Sequence, residues 1–537
     1  MTHKIDENDK PLRAGWWILA MIVFGLVVAI RIRLLGVPLE RDEGEYAYAG
    51  QLILQGVPPY TLAYNMKFPG TYAAYAAIMS VFGQTVTGIH LGLLLVNAAT
   101  IILIFFVGRP LVNSVAGLAA GMSYAVLSVS PSVLGFAGHA THFVLLPVLG
   151  GTLVLLKATN RQGLGSLFTS GMLFGIGVLM KQPAVFFAVF GAIYVISSDF
   201  HRRFRPEKIF LRTLVFGFGV IVPLGITCLL LWHIGVFDRF WFWTIDYARQ
   251  YGSLVPFSQA PRFFFYSAKE VIVAGWPIWA LAGIGLVTGL WKQRTRSIAV
   301  FLLAFLFFSV LALCPGFFFR LHYFILVLPA VSLLAGVAIS KLSDLSVHRI
   351  IIIRFIPILV LGFALAWPML TERRFFFEAS PADASRMIYP ESPFPESIKI
   401  AEYLRTHTTR DDTIAVVGSE PQIYFYSNRH SATGYIYTYG LMEPQKYATQ
   451  MQQEMIRDIE RAHPKFLISV VMPDSWLQRP ESERLIFNWA NEYTAQNYTV
   501  AGFVNMVAPD KTDYYFDNVP QSVPRLGSYI LIYERKS

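Results

Sequence analysis

Four carboxylates fall within six positions in Glu40-Arg41-Asp42-Glu43-Gly44-Glu45, and Tyr46-Ala47-Tyr48 follows at once. The cluster comes directly after the first long apolar run, at a membrane edge. A carboxylate there costs free energy unless it is solvated, paired or put to use. Asp42 is placed to cap a helix running through Tyr46, Ala49 and Ile53. Capping employs one acid and leaves three without a reason, so chemistry is the stronger reading. A positioned carboxylate can take a proton from a hydroxyl. Lys67, in Asn65-Met66-Lys67-Phe68-Pro69, brings a cation into the same loop, where a developing anion would need one. Its plain alternative is an interfacial lysine with its stem on apolar surface.

Lys181 interrupts two short apolar runs in Met180-Lys181-Gln182-Pro183. The Gln182-Pro183 turn explains the break but not the lysine, and a phosphate is the natural partner of such a cation. Arg320 either binds phosphate in the same way or simply ends a span. His139 and His142, in Gly138-His139-Ala140-Thr141-His142, stand equally as functional imidazoles and as amphipathic interface residues. The aromatic run Phe240-Trp241-Phe242-Trp243, with Tyr247, Tyr251 and Phe263 to Tyr266, suits an interfacial belt. No zinc-ligand spacing, phosphate-cradling glycine loop or Asp-X-Asp pair occurs, so a nucleotide-sugar donor with bound metal is not supported.

The elements that must carry these residues follow from composition. Of 537 residues, 55% are hydrophobic and 15% charged, with a mean hydropathy of +0.49. Soluble chains carry about 25% charged residues. From Trp16 to Leu370 the chain is a series of apolar runs near the roughly 20 residues that cross a bilayer as a helix. Beyond Glu372 charge density rises and such runs stop. Two domains are expected, a membrane domain over 1–370 and a soluble α/β domain over 371–537. The net charge of +10 sits largely in short loops, which positive-inside topology explains and nucleic acid does not. Cys228 and Cys314 lie inside apolar runs, so no fold-stabilising disulfide is expected. Lys4, Lys10 and Arg13 precede a first run without a small-residue cleavage site, the pattern of a retained signal anchor.

Basic clusters stand at the N-terminus, Arg109, Lys157 and Arg161, Arg202 to Lys208, Lys292 to Arg296, and Lys341 to Arg349. If all face the cytoplasm, an even number of spans separates each neighbouring pair. Spans over 15–35, 88–107, 114–135, 142–157, 166–180, 183–198, 210–233, 270–291, 298–316, 322–340 and 350–370 satisfy this. The N-terminus is then cytoplasmic and the C-terminal domain periplasmic. The apolar stretch 71–83 is short and reads as a re-entrant or interfacial helix. Arg31 and Arg33, at the outer end of the first span, read as snorkelling to headgroups. In the soluble part, strands are expected at Thr413–Val417, Phe466–Val471, Thr499–Val504 and Tyr529–Tyr533, and helices at Ser397–His407, Pro444–Ala462 and Glu483–Asn497. Tyr389 to Pro395 reads as a proline-rich linker or lid.

The acidic turn resembles that of the GT-C fold membrane glycosyltransferases, specifically bacterial relatives of protein O-mannosyltransferases and of lipid A aminoarabinose transferase. Those families place an Asp-Glu pair after the first span, then a Tyr-Ala step, as in Arg41-Asp42-Glu43-Gly44-Glu45-Tyr46-Ala47. A Lys-Pro element follows, here Lys67-Phe68-Pro69 with one residue inserted. Arg320, His322 and Tyr323, with Pro329 beyond, match a further segment, and the likeness spans 10–370 loosely. Thr141 stands where relatives often carry a second acid, so His139 or His142 is left as the candidate substitute. Met66 stands where some relatives carry an acid that helps hold a metal, which argues against that metal.

The resemblance implies a polytopic α-helical membrane protein of about 11–13 spans, GT-C-like, with a C-terminal α/β periplasmic domain in the bacterial inner membrane. It implies an inverting glycosyltransferase that moves a monosaccharide, hexosyl or pentosyl, from a polyprenyl-phosphate donor to a lipid, glycan or protein acceptor. Asp42 is the expected base with Glu43 as its alternate. Lys67, Lys181 and Arg320 are expected on the donor phosphate. Glu45, Tyr46, His139, His142, His322 and Tyr323 are expected to contact acceptor or donor. No metal or other cofactor is expected. The rival reading is a transporter or lipid flippase with an external sensor domain. Transporters hold charges near the midplane and often show inverted repeats, whereas this chain gathers its acids at one outer edge and shows no repeat. A non-catalytic scaffold, suggested by the missing second acid, is the third. A reporter fused after Ser537 is expected to read periplasmic; a cytoplasmic signal would mean that 71–83 crosses the bilayer.

Overall fold

The computed structural model describes residues 12, 14–291, 293–346, 351–508, 511–520 and 527–536. Lys4, Lys10, Arg13, Lys292 and Arg349 of the expected cytoplasmic clusters lie outside the described residues. The chain packs as two compact units. One comprises Met1–Leu34, His90–Leu229 and Val255–Glu378, and the other Leu35–Ile89, Leu230–Leu254 and Ala379–Ser537. The division expected at 370 follows composition along the chain. Packing follows a different partition, because two segments from the first half share a compact unit with the C-terminal sheet.

Among the described residues the first unit is built of helices and their connections, as lipid demands of a backbone that must satisfy its own hydrogen bonds. Seven helices among the described residues are long and apolar enough to cross a membrane: Ala14–Arg33, Val86–Leu111, Ala140–Asn160, Gln182–His201, Pro206–His233, Leu328–Leu345 and Ile353–Thr371. This is a multi-pass membrane protein. The helices Ser114–Leu127, Leu164–Met180 and Thr295–Leu311 are apolar but shorter. The single span expected over 270–291 is instead two helices, Phe257–Ala274 and Trp276–Trp291, bent by 100°. Gly275 lies at the break and Pro277 in the first turn beyond it, where a missing N–H is tolerated. Small residues let helices touch closely. A Cβ on Gly285 would lie 1.9 Å from the Leu334 carbonyl oxygen, so Trp276–Trp291 meets Leu328–Ser346 at the backbone.

Arg31 and Arg33 do not follow the snorkelling expectation. The Arg31 guanidinium is buried and donates to the carbonyls of Ser128 (2.9 Å) and Gly135 (3.3 Å). Arg33 donates to those of Phe375 (3.2 Å) and Phe376 (3.0 Å). Both arginines satisfy carbonyls where the chain leaves regular helix, a need that exceeds the pull of headgroups.

The second unit contains a six-stranded sheet. Its strands are β1 (Thr413–Val417), β2 (His430–Ser431), β3 (Phe466–Val471), β4 (Tyr498–Ala508), β5 (Lys511–Phe516) and β6 (Ser528–Arg535), in the order β2-β1-β3-β6-β4-β5. The pairs β2-β1 and β1-β3 are parallel and the remaining three antiparallel. The four expected strands are present. Two more are not legible as strands, since β2 is two residues long and β5 is a half-exposed edge strand carrying Lys511 and Asp513. Helices Phe394–His407, Ala448–Ala462 and Leu485–Asn497 accompany the sheet. The first begins inside the proline-rich stretch expected to be a linker or lid, with Pro393 at its N-cap and Phe394 buried. The 71–83 stretch is the 13-residue helix Gly70–Phe82, packed on Arg41–Leu54.

The helix Arg41–Leu54 is seated on the chain that runs between β1 and β2. Arg41 donates from Nε to the Ser419 carbonyl (2.6 Å) and from Nη2 to Glu420 Oε1 (3.2 Å). Glu420 is fully buried and accepts from Ser475 Oγ at 2.7 Å. Burial pushes the Glu420 carboxyl above its ordinary pKa, and Arg41 opposes that. Tyr426 OH accepts the Leu39 N–H (2.8 Å), and Tyr48 OH accepts the Ser431 N–H (2.7 Å). A Cβ on Gly44 would lie 2.7 Å from Gln422 N and 3.0 Å from its Cα. Gly44→Ala gains up to about 1 kcal/mol of helix propensity but forces backbone apart at about 1–3 kcal/mol. A lower melting temperature is expected; an unchanged one would mean the helix is not seated here. Arg41→Met strands Glu420 and is expected to cost about 3–5 kcal/mol. Folded Glu420 then holds its proton more tightly than unfolded Glu420, so thermal unfolding should show the loss deepening as pH rises.

Candidate active site

The acidic turn is the first turn of Arg41–Leu54. Glu40, not Asp42, is the N-cap residue, and its Oε1 accepts the Glu43 N–H at 2.9 Å. Asp42 is thereby released from capping. Negative side chains in this turn are also favoured by the helix dipole. Asp42 and Glu45 stand three apart and share a helix face. Glu43 lies about 100° round from Asp42 and is buried, 1% exposed, where Tyr75 and Tyr426 feel its charge.

Lys67 reaches this face from the loop before Gly70–Phe82. Its Nζ donates to Asp42 Oδ1 (2.9 Å) and to Glu45 Oε2 (2.7 Å). Tyr60 fixes the loop by donating to the Lys67 carbonyl at 2.6 Å, and Asn65 accepts the Met66 N–H at 2.7 Å. The ammonium also lies 4.5 Å from the Tyr46 ring centroid and 5.7 Å from that of Tyr437. Burial alone would lower the Lys67 pKa. Asp42 and Glu45 outweigh it and hold the ammonium well above its ordinary range.

The two acids are not equivalent. Glu45 is completely buried and takes hydrogen bonds from Lys67, Asn65 Nδ2 (2.8 Å) and Tyr72 OH (2.6 Å). Burial lifts its pKa while Lys67 pulls it back, and three donors favour the carboxylate. Asp42 and Lys67 each keep about a fifth of the side chain exposed, 20% and 21%. The accessible pair is therefore one carboxylate and one ammonium, with Glu45 behind them holding the lysine. Tyr437 completes the group: its OH lies 3.5 Å from Asp42 Oδ1, across 395 residues of sequence. No motif pointed to Tyr437, Tyr72 or Asn65. The only available signal was that three tyrosines alternate at 435, 437 and 439.

The remaining expected residues lie in the membrane unit. Lys181, in an extended conformation between two helices, places Nζ 3.8 Å from the Tyr323 ring centroid. His139 stacks on His322 at 4.0 Å and 8°, and His322 meets Tyr323 edge-on at 4.7 Å. Thr141 and His142 are buried in the first turn of Ala140–Arg161. Arg320 is exposed, 5.6 Å from the Phe318 ring centroid. Lys181, His139, His322 and Tyr323 thus come together, while Arg320 makes none of these ring contacts.

Comparison with known proteins adds the family context. Residues 67–226 match the family model of dolichyl-phosphate-mannose-protein mannosyltransferase. That segment begins at Lys67 and leaves the acidic turn outside. No curated protein matches the chain in sequence. Among solved structures, ArnT from Cupriavidus metallidurans in the apo state is similar with a TM-score of 0.59 and 15% identity, over 96% of this chain and 98% of that one. The same protein bound to undecaprenyl phosphate gives 0.57 and 14%, over 97% and 98%. The archaeal oligosaccharyltransferase AglB from Archaeoglobus fulgidus, in complex with an inhibitory peptide and a dolichol-phosphate, gives 0.53 and 13%, over 96% and 75%. These likenesses extend over nearly the whole chain, and with the helical membrane unit and small sheet they identify the protein as one of GT-C fold, matched over 67–226 by the mannosyltransferase family.

Proposed function

We propose that the protein is an inverting glycosyltransferase that moves a monosaccharide from a polyprenyl-phosphate donor to a lipid, glycan or protein hydroxyl at the periplasmic face of the bacterial inner membrane. The observation that carries this reading is the partly exposed Asp42–Lys67 pair, with Glu45 buried behind it. A base and a cation side by side are what the step needs. The binding of undecaprenyl phosphate by ArnT and of a dolichol-phosphate by AglB supports a lipid-phosphate donor.

In this mechanism the acceptor oxygen attacks the anomeric carbon and its proton passes to Asp42. The carbon–oxygen bond to the lipid phosphate breaks on the opposite face, so the configuration inverts. The bond's electron pair leaves with the phosphate. That phosphate is a good leaving group, so the step calls for neither a strong acid nor a metal. Its developing charge is met by the Lys67 ammonium. Glu43, being buried, is the weaker candidate for the base, and Glu45 positions Lys67.

The test is release of lipid phosphate from a panel of polyprenyl-phosphate sugars by purified full-length protein. Asp42→Asn is expected to lower kcat by about 10²–10⁴, and Lys67→Met by about 10²–10³, with both variants folded. Full activity of Asp42→Asn would remove Asp42 as the base.

A further inference from the structure

Lys67 has two demands on it. In the structure its ammonium is shared between Asp42 and Glu45, yet in the reaction it must turn toward a phosphate. A carboxylate that loses its cation becomes more basic but also less well held. Something else has to keep Asp42 aimed as the charge moves away. The side chain placed to do so comes from the sheet-bearing part of the same unit.

Tyr437 lies between β2 and β3, next to Thr438, which donates through its N–H to Ser419 Oγ (2.9 Å) and shares a 2.8 Å bond with it through its hydroxyl. Ser419 is the residue whose carbonyl holds Arg41, the neighbour of Asp42. Tyr437 and Asp42 are therefore fixed to one rigid corner. The ring of Tyr437 meets Tyr439 edge-on at 4.8 Å, and its OH points to Asp42 Oδ1 at 3.5 Å. That distance is long for a hydrogen bond between oxygens, as catalytic contacts often are before substrate binds. Lys67 already donates to the same oxygen.

We infer that Tyr437 is a positioning residue for Asp42: when Lys67 engages the donor phosphate, the Tyr437 hydroxyl closes on Asp42 Oδ1 and keeps the carboxylate aimed at the acceptor. The inference rests on the glycosyltransferase reading above. It makes the C-terminal segment part of the reacting centre and not an accessory. Glu40, Glu45, Lys67, Tyr75 and Tyr389 are among the groups that also interact with Asp42, and a Tyr437→Phe protein keeps all of them.

Tyr437→Phe keeps the ring and removes only the hydroxyl. With full-length protein and the same polyprenyl-phosphate sugars, kcat is expected to fall about tenfold with the KM for the donor unchanged. The acid limb of the kcat profile should rise by about half to one pH unit, because a donor to the carboxylate is lost. A purely structural role would lower the yield of folded protein and leave the limb in place. Wild-type kcat and limb in Tyr437→Phe, with Asp42→Asn inactive, would overturn the inference and leave the reading intact. If Asp42→Asn is fully active, the reading fails instead. The contact itself is then tested by infrared titration of the Asp42 carboxyl, taken as the difference between the wild type and Asp42→Asn in the presence of undecaprenyl phosphate. A midpoint raised in Tyr437→Phe supports the contact, and an unchanged one overturns it.

Discussion

Four acids in one helical turn repel one another, and the turn folds only where each negative charge is given a donor in a medium of low dielectric. Glu40 is used as the cap, Glu45 is closed under Asn65, Lys67 and Tyr72, and Asp42 shares Lys67. Arg41 meets the one acid that the sheet-bearing segment contributes, Glu420. Much of the second unit can be understood as the set of hydrogen-bond partners that this turn requires. The loop before Gly70–Phe82 delivers the lysine, that helix delivers Tyr72, and the chain after β1 delivers the Ser419 carbonyl and Glu420.

That compensation also sorts the residues by use. A carboxylate with three donors and no exposure is spent on structure. A carboxylate that shares one ammonium and keeps an exposed flank still has bonding capacity for a substrate proton. The same holds for Lys67, whose charge is neutralised but whose side chain is still reachable. An interaction network of this kind holds its reactive members in place before substrate arrives, which lowers the cost of organising them during the reaction.

The membrane unit follows a different logic. Its helices touch through glycine, as at Gly285 and Leu334, and Arg31 and Arg33 stand in the last turn of the first helix. Arg31 and Arg33 close carbonyls of irregular chain, and the stacked His139 and His322 lie beside Tyr323 and Lys181. Where helix geometry is interrupted in a membrane protein, freed carbonyls have to find donors within the protein. The basic C-terminal end of the first span is therefore tied to carbonyls within the protein.

The sequence by itself determined the membrane character, the α/β character of the C-terminal segment and four of the six strands, and it drew attention to the acids and Lys67 of one loop. Those properties live in composition, in periods of 2 and 3.6 residues, and in local spacing, all of which survive in a linear string. It did not determine that Glu40 caps the turn, which requires knowing where the helix starts. Nor did it show that the segment expected over 270–291 breaks at Gly275, or that Arg31 is buried. Above all, it said nothing of Arg41 with Glu420 or of Asp42 with Tyr437, pairs nearly four hundred residues apart. Such partners are chosen by the folded surface that brings them within a few ångströms, because Coulomb and hydrogen-bond forces act on distance in space and not along the chain. Tertiary structure alone decided which of four carboxylates remained accessible.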